Sequence, residues 1–282
     1  MQSLRCDDTV TSVAFSHDSK LIASGSKDHV VKIWDTTIKP AKKVVDSHTG
    51  RINSVAFSDN ATLVALAAED GKVKAWDTAT WSLQQSMTSI NMARSVTFSR
   101  DSSLVVNGNW GEIQGRIMVQ YAETSEFETQ FETYTSSINA LALSHDSKLV
   151  AFGCYDISIY DMETENYVTS FAHRDDGNLS TIAYSRDSKL IATGWTNKTI
   201  VIFNAETGSI ERTFKVGATS YSVSFDVASS HLLTELGSIK LAAPTDFDNE
   251  GSSEAQTGSE AEPESREAVM LCLGCGLSLD NS

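Results

Sequence analysis

Cysteine is scarce in this chain. Four in 282 residues (Cys6, Cys154, Cys272 and Cys275) are too few for a disulfide framework, so a reducing, soluble compartment, the cytoplasm, is expected. No run of 18 apolar residues occurs, and no spanning helix is expected. The opening MQSLRCDDTVTSVAF has no basic stretch followed by an apolar one, so no secretory signal is expected either. Basic residues are outnumbered, 22 Lys+Arg against 37 Asp+Glu. The resulting formal charge of −15 argues against a nucleic-acid backbone or an anionic membrane as partner. The sequence also lacks GxxxxGK[ST], a GxGxxG between strand and helix, and a GxSxG elbow. No cofactor, metal or catalytic constellation is therefore expected, and the chain is read as a non-enzyme. Its length is nevertheless ample for a substantial core.

What the chain has is repetition. SVAFSHDSKLIASGS (Ser12–Ser26) returns as SVAFSDNATLVALAA (Ser54–Ala68), SVTFSRDSSLVVNG (Ser95–Gly108), ALALSHDSKLVAFG (Ala140–Gly153) and TIAYSRDSKLIATG (Thr181–Gly194). A weaker copy is SVSFDVASSHLLTELG (Ser222–Gly237). The anchors Phe15, Phe57, Phe98, Leu143, Tyr184 and Phe225 are spaced by 42, 41, 45, 41 and 41 residues. Each copy begins with period-2 alternation, as in Val13 and Phe15, which predicts a half-buried strand. A polar His-Asp-Ser-Lys or Arg-Asp-Ser-Lys turn follows, in which Asp can bond the backbone ahead of it. A nearly continuous apolar run predicts a second, buried strand, and Val30–Trp34 or Val73–Trp76 a third. Fourth strands are expected at Lys43–Asp46, Ser82–Met87, Phe127–Thr133, Tyr167–Ala172 and Ile210–Val216. Four short antiparallel strands per period of roughly 40–45 residues predict propeller blades.

With Trp34-Asp35 and Trp76-Asp77 closing two copies, the chain resembles the WD-repeat β-propeller family over about Gln2 to Ala243. The fold class expected is all-β: four-stranded antiparallel blades, six of them plus an incomplete seventh. The family resemblance implies a buried cluster in each blade of His, a strand Ser or Thr, a turn Asp and Trp. The first repeat supplies Ser24, Asp28 and Trp34, and lacks the His. The second has His48, Asp70 and Trp76, with Leu66 at the hydroxyl position. The fourth has Asp156 and Tyr160, and the fifth His173, Thr193, Asn197 and Phe203. These are expected to be structural fasteners, and because no repeat holds all four groups the network is expected to be partial.

The propeller is expected over 2–243, with 2–6 as an outer strand closing the last blade. Residues 244–268, with eight acidic residues and one basic one (Arg266), are expected to be a disordered acidic insertion. Gly274–Asp280 aligns with Ser12–Asp18, so 269–282 is expected to hold the first strand of the incomplete seventh blade. Cys272-Leu-Gly-Cys275 has no second ligand pair nearby for zinc and is read as strand alternation. The expected function is recognition of other proteins or peptides. The turn between second and third strands, which the resemblance puts on one rim, carries Trp110, Tyr155 and Trp195, and aromatics there are candidate anchors. The spelling of the last repeat and its long polar insert are similar to the C-terminal propellers of fungal NACHT-type signalling ATPases, which implies a sensor role.

Overall fold

The computed structural model describes residues 6, 8–36, 43–46, 48–89, 91–111, 114–124, 126–134, 137–172 and 177–241. Their strands form six antiparallel sheets. The first blade is β1 (Val10–Phe15), β2 (Leu21–Ser26), β3 (Val30–Asp35) and β4 (Lys43–Asp46). The second is β5 (Ile52–Phe57), β6 (Leu63–Ala68), β7 (Lys72–Asp77) and β8 (Leu83–Thr88). The third is β9 (Ala93–Phe98), β10 (Leu104–Asn109), β11 (Arg116–Tyr121) and β12 (Phe127–Glu132). The fourth is β13 (Ala140–Leu143), β14 (Leu149–Gly153), β15 (Asp156–Asp161) and β16 (Asn166–Ala172). The fifth is β17 (Leu179–Tyr184), β18 (Leu190–Trp195), β19 (Thr199–Asn204) and β20 (Ile210–Lys215). The sixth has three described strands, β21 (Val223–Phe225), β22 (His231–Thr234) and β23 (Gly237–Lys240). The molecule is thus an all-β, six-bladed propeller. The stretches 2–5, 244–268 and 269–282, expected to hold a closing strand, an acidic insertion and part of a seventh blade, lie outside the described residues.

The polar segment after the first strand builds one turn five times over, with Asn60 standing for the Asp in the second blade. In the first blade the Ser16 hydroxyl donates to Asp18 Oδ1 at 2.7 Å, the Lys20 N–H donates to the same oxygen at 3.1 Å, and the Leu21 N–H donates to Ser16 Oγ at 2.9 Å. The residue after the acid takes a left-handed backbone, φ 57° at Ser19 and 63°, 60° and 58° at Ser102, Ser147 and Ser188. Small polar residues make that conformation inexpensive. Neighbouring turns are then tied together: the Arg100 N–H donates to Ser147 Oγ at 2.9 Å and the His145 N–H to Ser188 Oγ at 2.8 Å.

The core lies between blades. Ala23, Val31 and Ile33 of the first blade pack against Ile52, Val55 and Leu66 of the second, all buried. This repeats down to Ala192, Ile200 and Ile202 against Val223 and Leu232. Close approach requires glycine on the second strand. A Cβ on Gly108 would stand 2.5 Å from Ile138 Cγ2, and one on Gly194 2.8 Å from the Ser220 carbonyl oxygen. Inner strands pack in the succession β1, β5, β9, β13, β17, β21. Val13 is 37% exposed, whereas its counterparts Val55, Val96 and Val223 are 6%, 5% and 6% exposed.

Two substitutions test this accounting. Val55→Ala should lower stability by roughly 2 kcal/mol, while Val13→Ala at the equivalent position should cost under about 1 kcal/mol. Urea denaturation of the two variants measures the contrast, and equal losses would contradict it.

Candidate functional site

Strand register aligns Ser24, Leu66, Asn107, Phe152, Thr193 and Thr234 as one position, opposite Val13, Val55, Val96, Leu141, Ile182 and Val223 of the inner strands. The blades solve this position differently. In the second, the buried His48 Nδ1 lies 3.0 Å from both Asp70 oxygens. Asp70 also accepts the Thr49 N–H at 3.0 Å and the Lys72 N–H at 3.1 Å. Burial pushes the Asp70 carboxyl up, but the Thr49 and His48 donors outweigh it and hold it below the usual carboxylate range. Burial pushes His48 down, against the pull of Asp70. The pair is therefore a neutral imidazole donating to a carboxylate. His48 Nε2 and Trp76 Nε1 are buried without partners, as expected where the apolar, fully buried Leu66 replaces the hydroxyl that would bridge them.

In the first blade Cys6, one 42-residue period before His48, takes the His place, with Sγ 3.4 Å from Ser24 Oγ. Asp28 accepts the Ser26 hydroxyl and the Val30 N–H, and Trp34 is buried. The third blade puts buried Asn107 at the hydroxyl position, and buried Asn109 donates to Ser89 Oγ at 3.0 Å. The fourth uses rings instead. Phe152 fills the hydroxyl position, and Tyr160 stacks on Phe131 with centroids 3.7 Å apart and planes at 14°. Asp156 stands exposed at the start of β15 and takes no place in that stack. In the fifth, Thr193 donates to the Val201 carbonyl at 3.0 Å and accepts the Trp195 indole N–H at 2.7 Å. Asn197 caps the turn by accepting from the Thr199 hydroxyl at 2.6 Å, and Phe203 is fully buried. His173 lies outside the described residues.

The second-to-third-strand turns and the links between blades share one end of the disk, because strands alternate in direction. Of the three aromatics expected on that rim, Tyr155 is 63% exposed and Trp110 half-buried. The expectation for Trp195 is corrected. It is fully buried, held by the Thr193 bond, because the last residue of β18 faces the neighbouring blade and not the solvent. Four further residues exposed on the rim carry no repeat signal: Met92, Tyr134, Tyr221 and Leu236. They sit in links and turns where periodicity is silent; large apolar residues between predicted strands were the available clue.

Among the described residues no group of His, Cys, Asp and Glu could hold a metal ion. Cys154 is buried, its thiol pushed up by burial, which makes it a poor nucleophile. The Cys272/Cys275 pair lies outside the described residues. No helix among the described residues is long and apolar enough to cross a membrane.

Comparison with known families agrees with this architecture. The family model described as "WD domain, G-beta repeat" matches residues 1–35, 40–77 and 165–204. The chain is a six-bladed propeller that carries WD repeats. The three matched segments correspond to the first, second and fifth blades; the unmatched blades include those where Asn107 and Phe152 replace the hydroxyl group. No curated protein matches the chain.

Because the folded His48 ionises below its unfolded value near 6.5, its contribution to stability is lost as pH falls through that value. The Tm difference between the wild type and His48→Gln should therefore narrow from pH 7 to pH 5. A gap that stays constant or widens would contradict the pairing. Supplying the missing hydroxyl is a second test. Leu66→Thr should couple favourably to Trp76, by about 1 kcal/mol in a double-mutant cycle with Trp76→Phe. Zero coupling would show that the hydroxyl does not reach the indole.

Proposed function

We propose that the protein is a non-catalytic interaction scaffold or sensor that binds another protein or a peptide through the rim bearing Tyr155. Propellers built from WD repeats generally bind proteins or peptides and are typically non-catalytic. The observation that carries the reading is the set of exposed apolar and aromatic side chains in the links and turns of one end. Tyr134 is 84% exposed, Tyr221 71% and Tyr155 63%, and Met92 and Leu236 are exposed in the same set of links and turns. Tyrosine and methionine on a rigid support are efficient anchors, since they bury much area while losing little conformational freedom.

The finer reading is a sensor propeller of a fungal NACHT-type signalling ATPase, working in the cytoplasm and bound to neither nucleic acid nor membrane. It is supported by the resemblance of the last repeat and by the formal charge of −15. Sequencing the transcript across both ends of the reading frame tests it: an upstream P-loop ATPase supports it, and its absence leaves a free-standing WD-repeat protein.

Rim binding has its own test. Tyr155→Ala combined with Tyr221→Ala should reduce capture of a specific partner at least tenfold, about 1.4 kcal/mol or more, with Tm within about 2 °C of the wild type. A partner retained at full strength by the folded double variant would assign binding to another surface.

A further inference from the structure

Apolar volume is missing from one seam of the disk, and from both sides of it. Trp34, Trp76, Tyr160 and Phe203 occupy one register position of the third strand in the first, second, fourth and fifth blades. The third blade has Gln120 there, opposite Val105. The face that the second blade turns toward it is thin as well. Where other blades present Ile33, Val119, Ile159 and Ile202 to the blade that follows, the second presents Ala75.

Amides face the space that these exchanges leave. Gln85 pairs with Ala75 and Met87 with Val73, so the Gln85 side chain leaves its sheet on the side that packs against the third blade. It is 5% exposed, and neither its Nε2 nor its Oε1 has a hydrogen-bond partner. Its counterparts on other fourth strands, Thr129, Thr169 and Arg212, are only half-buried. From the third blade, Asn107 lies opposite Val96, which belongs to the same contact, and its Oδ1 is buried without a partner. A side-chain amide offers two donors and an acceptor with two lone pairs. Buried with none of them used, it has given up hydration and gained nothing in return. Protein interiors resolve such a deficit with ordered water wherever the site is polar and roomy enough.

We propose that the seam between the second and third blades is a hydrated joint: water held between the blades completes the hydrogen bonds of Gln85 and Asn107, and the disk opens first along this line. Alanine in place of isoleucine removes apolar contact across the seam, so separating these two blades exposes less apolar surface than separating others. Water already in the joint lowers the cost further, since opening leaves neither amide newly unpaired. Local opening is drawn to the part of a fold where these costs are smallest.

Hydrogen exchange and crystallography of the full chain test both halves of the proposal. Amides of β8, corrected for intrinsic rates, should exchange at least tenfold faster than those of β16 and β20, the fourth strands of the fourth and fifth blades. A high-resolution crystal structure should show ordered water within about 3.2 Å of Gln85 Nε2 or Oε1. Gln85→Met keeps the side-chain length and removes both amide atoms; it should raise Tm by about 2–4 °C and slow exchange in β8. Thr169→Val, at the equivalent position of the fourth blade, should leave exchange in β8 unchanged. Exchange in β8 no faster than in β16 and β20, a dry seam in the crystal, or a lower Tm for Gln85→Met would overturn the proposal.

Discussion

Everything in this molecule depends on apolar contact between consecutive blades. A single four-stranded sheet of this length, with one apolar face toward each neighbour, cannot bury either face alone. The contact of Ile52 and Val55 with Ala23 and Val31 is therefore the unit of stability, and it recurs around the axis. It works only where the second strand is thin. Gly25, Gly108 and Gly194 leave the space that Ile52, Ile138 and the Ser220 carbonyl occupy. Side chains directed inward are thus constrained by volume, whereas turns and links are constrained only by local backbone chemistry.

That division explains how the blade fastener has diverged. The position shared by Ser24, Leu66, Asn107, Phe152 and Thr193 must be filled and dry, but filling can be polar or apolar. Thr193 bonds an indole, whereas Phe152 joins the rings of Phe131 and Tyr160. Leu66 fills the space at the cost of two orphaned groups, His48 Nε2 and Trp76 Nε1. Packing with neighbouring blades tolerates these exchanges because it does not depend on the polar network inside any one blade.

The two ends of the disk carry different chemistry because they are built from different connections. One end gathers second-to-third-strand turns and inter-blade links of uneven length, which leave Tyr134, Tyr155 and Tyr221 in solvent. The other gathers the first-to-second-strand turns, four of which read Ser-x-Asp-Ser, tied to one another through Ser147 and Ser188.

The repeat period, the strand boundaries and the polar turn were legible from residues alone, since period-2 alternation and turn chemistry are properties of a few consecutive residues. Leu66 was legible in the same way, as a break in a pattern. Which aromatic side chains reach solvent was not: Trp110, Tyr155 and Trp195 occupy similar turns, yet Trp195 is sealed by Thr193 and the neighbouring blade. Nor could the sequence place Arg100 beside His145, 45 residues away, or leave the Tyr184 hydroxyl buried without a partner. Local propensity decides what each strand and turn is; only the closing of blade on blade decides which side chains share a space.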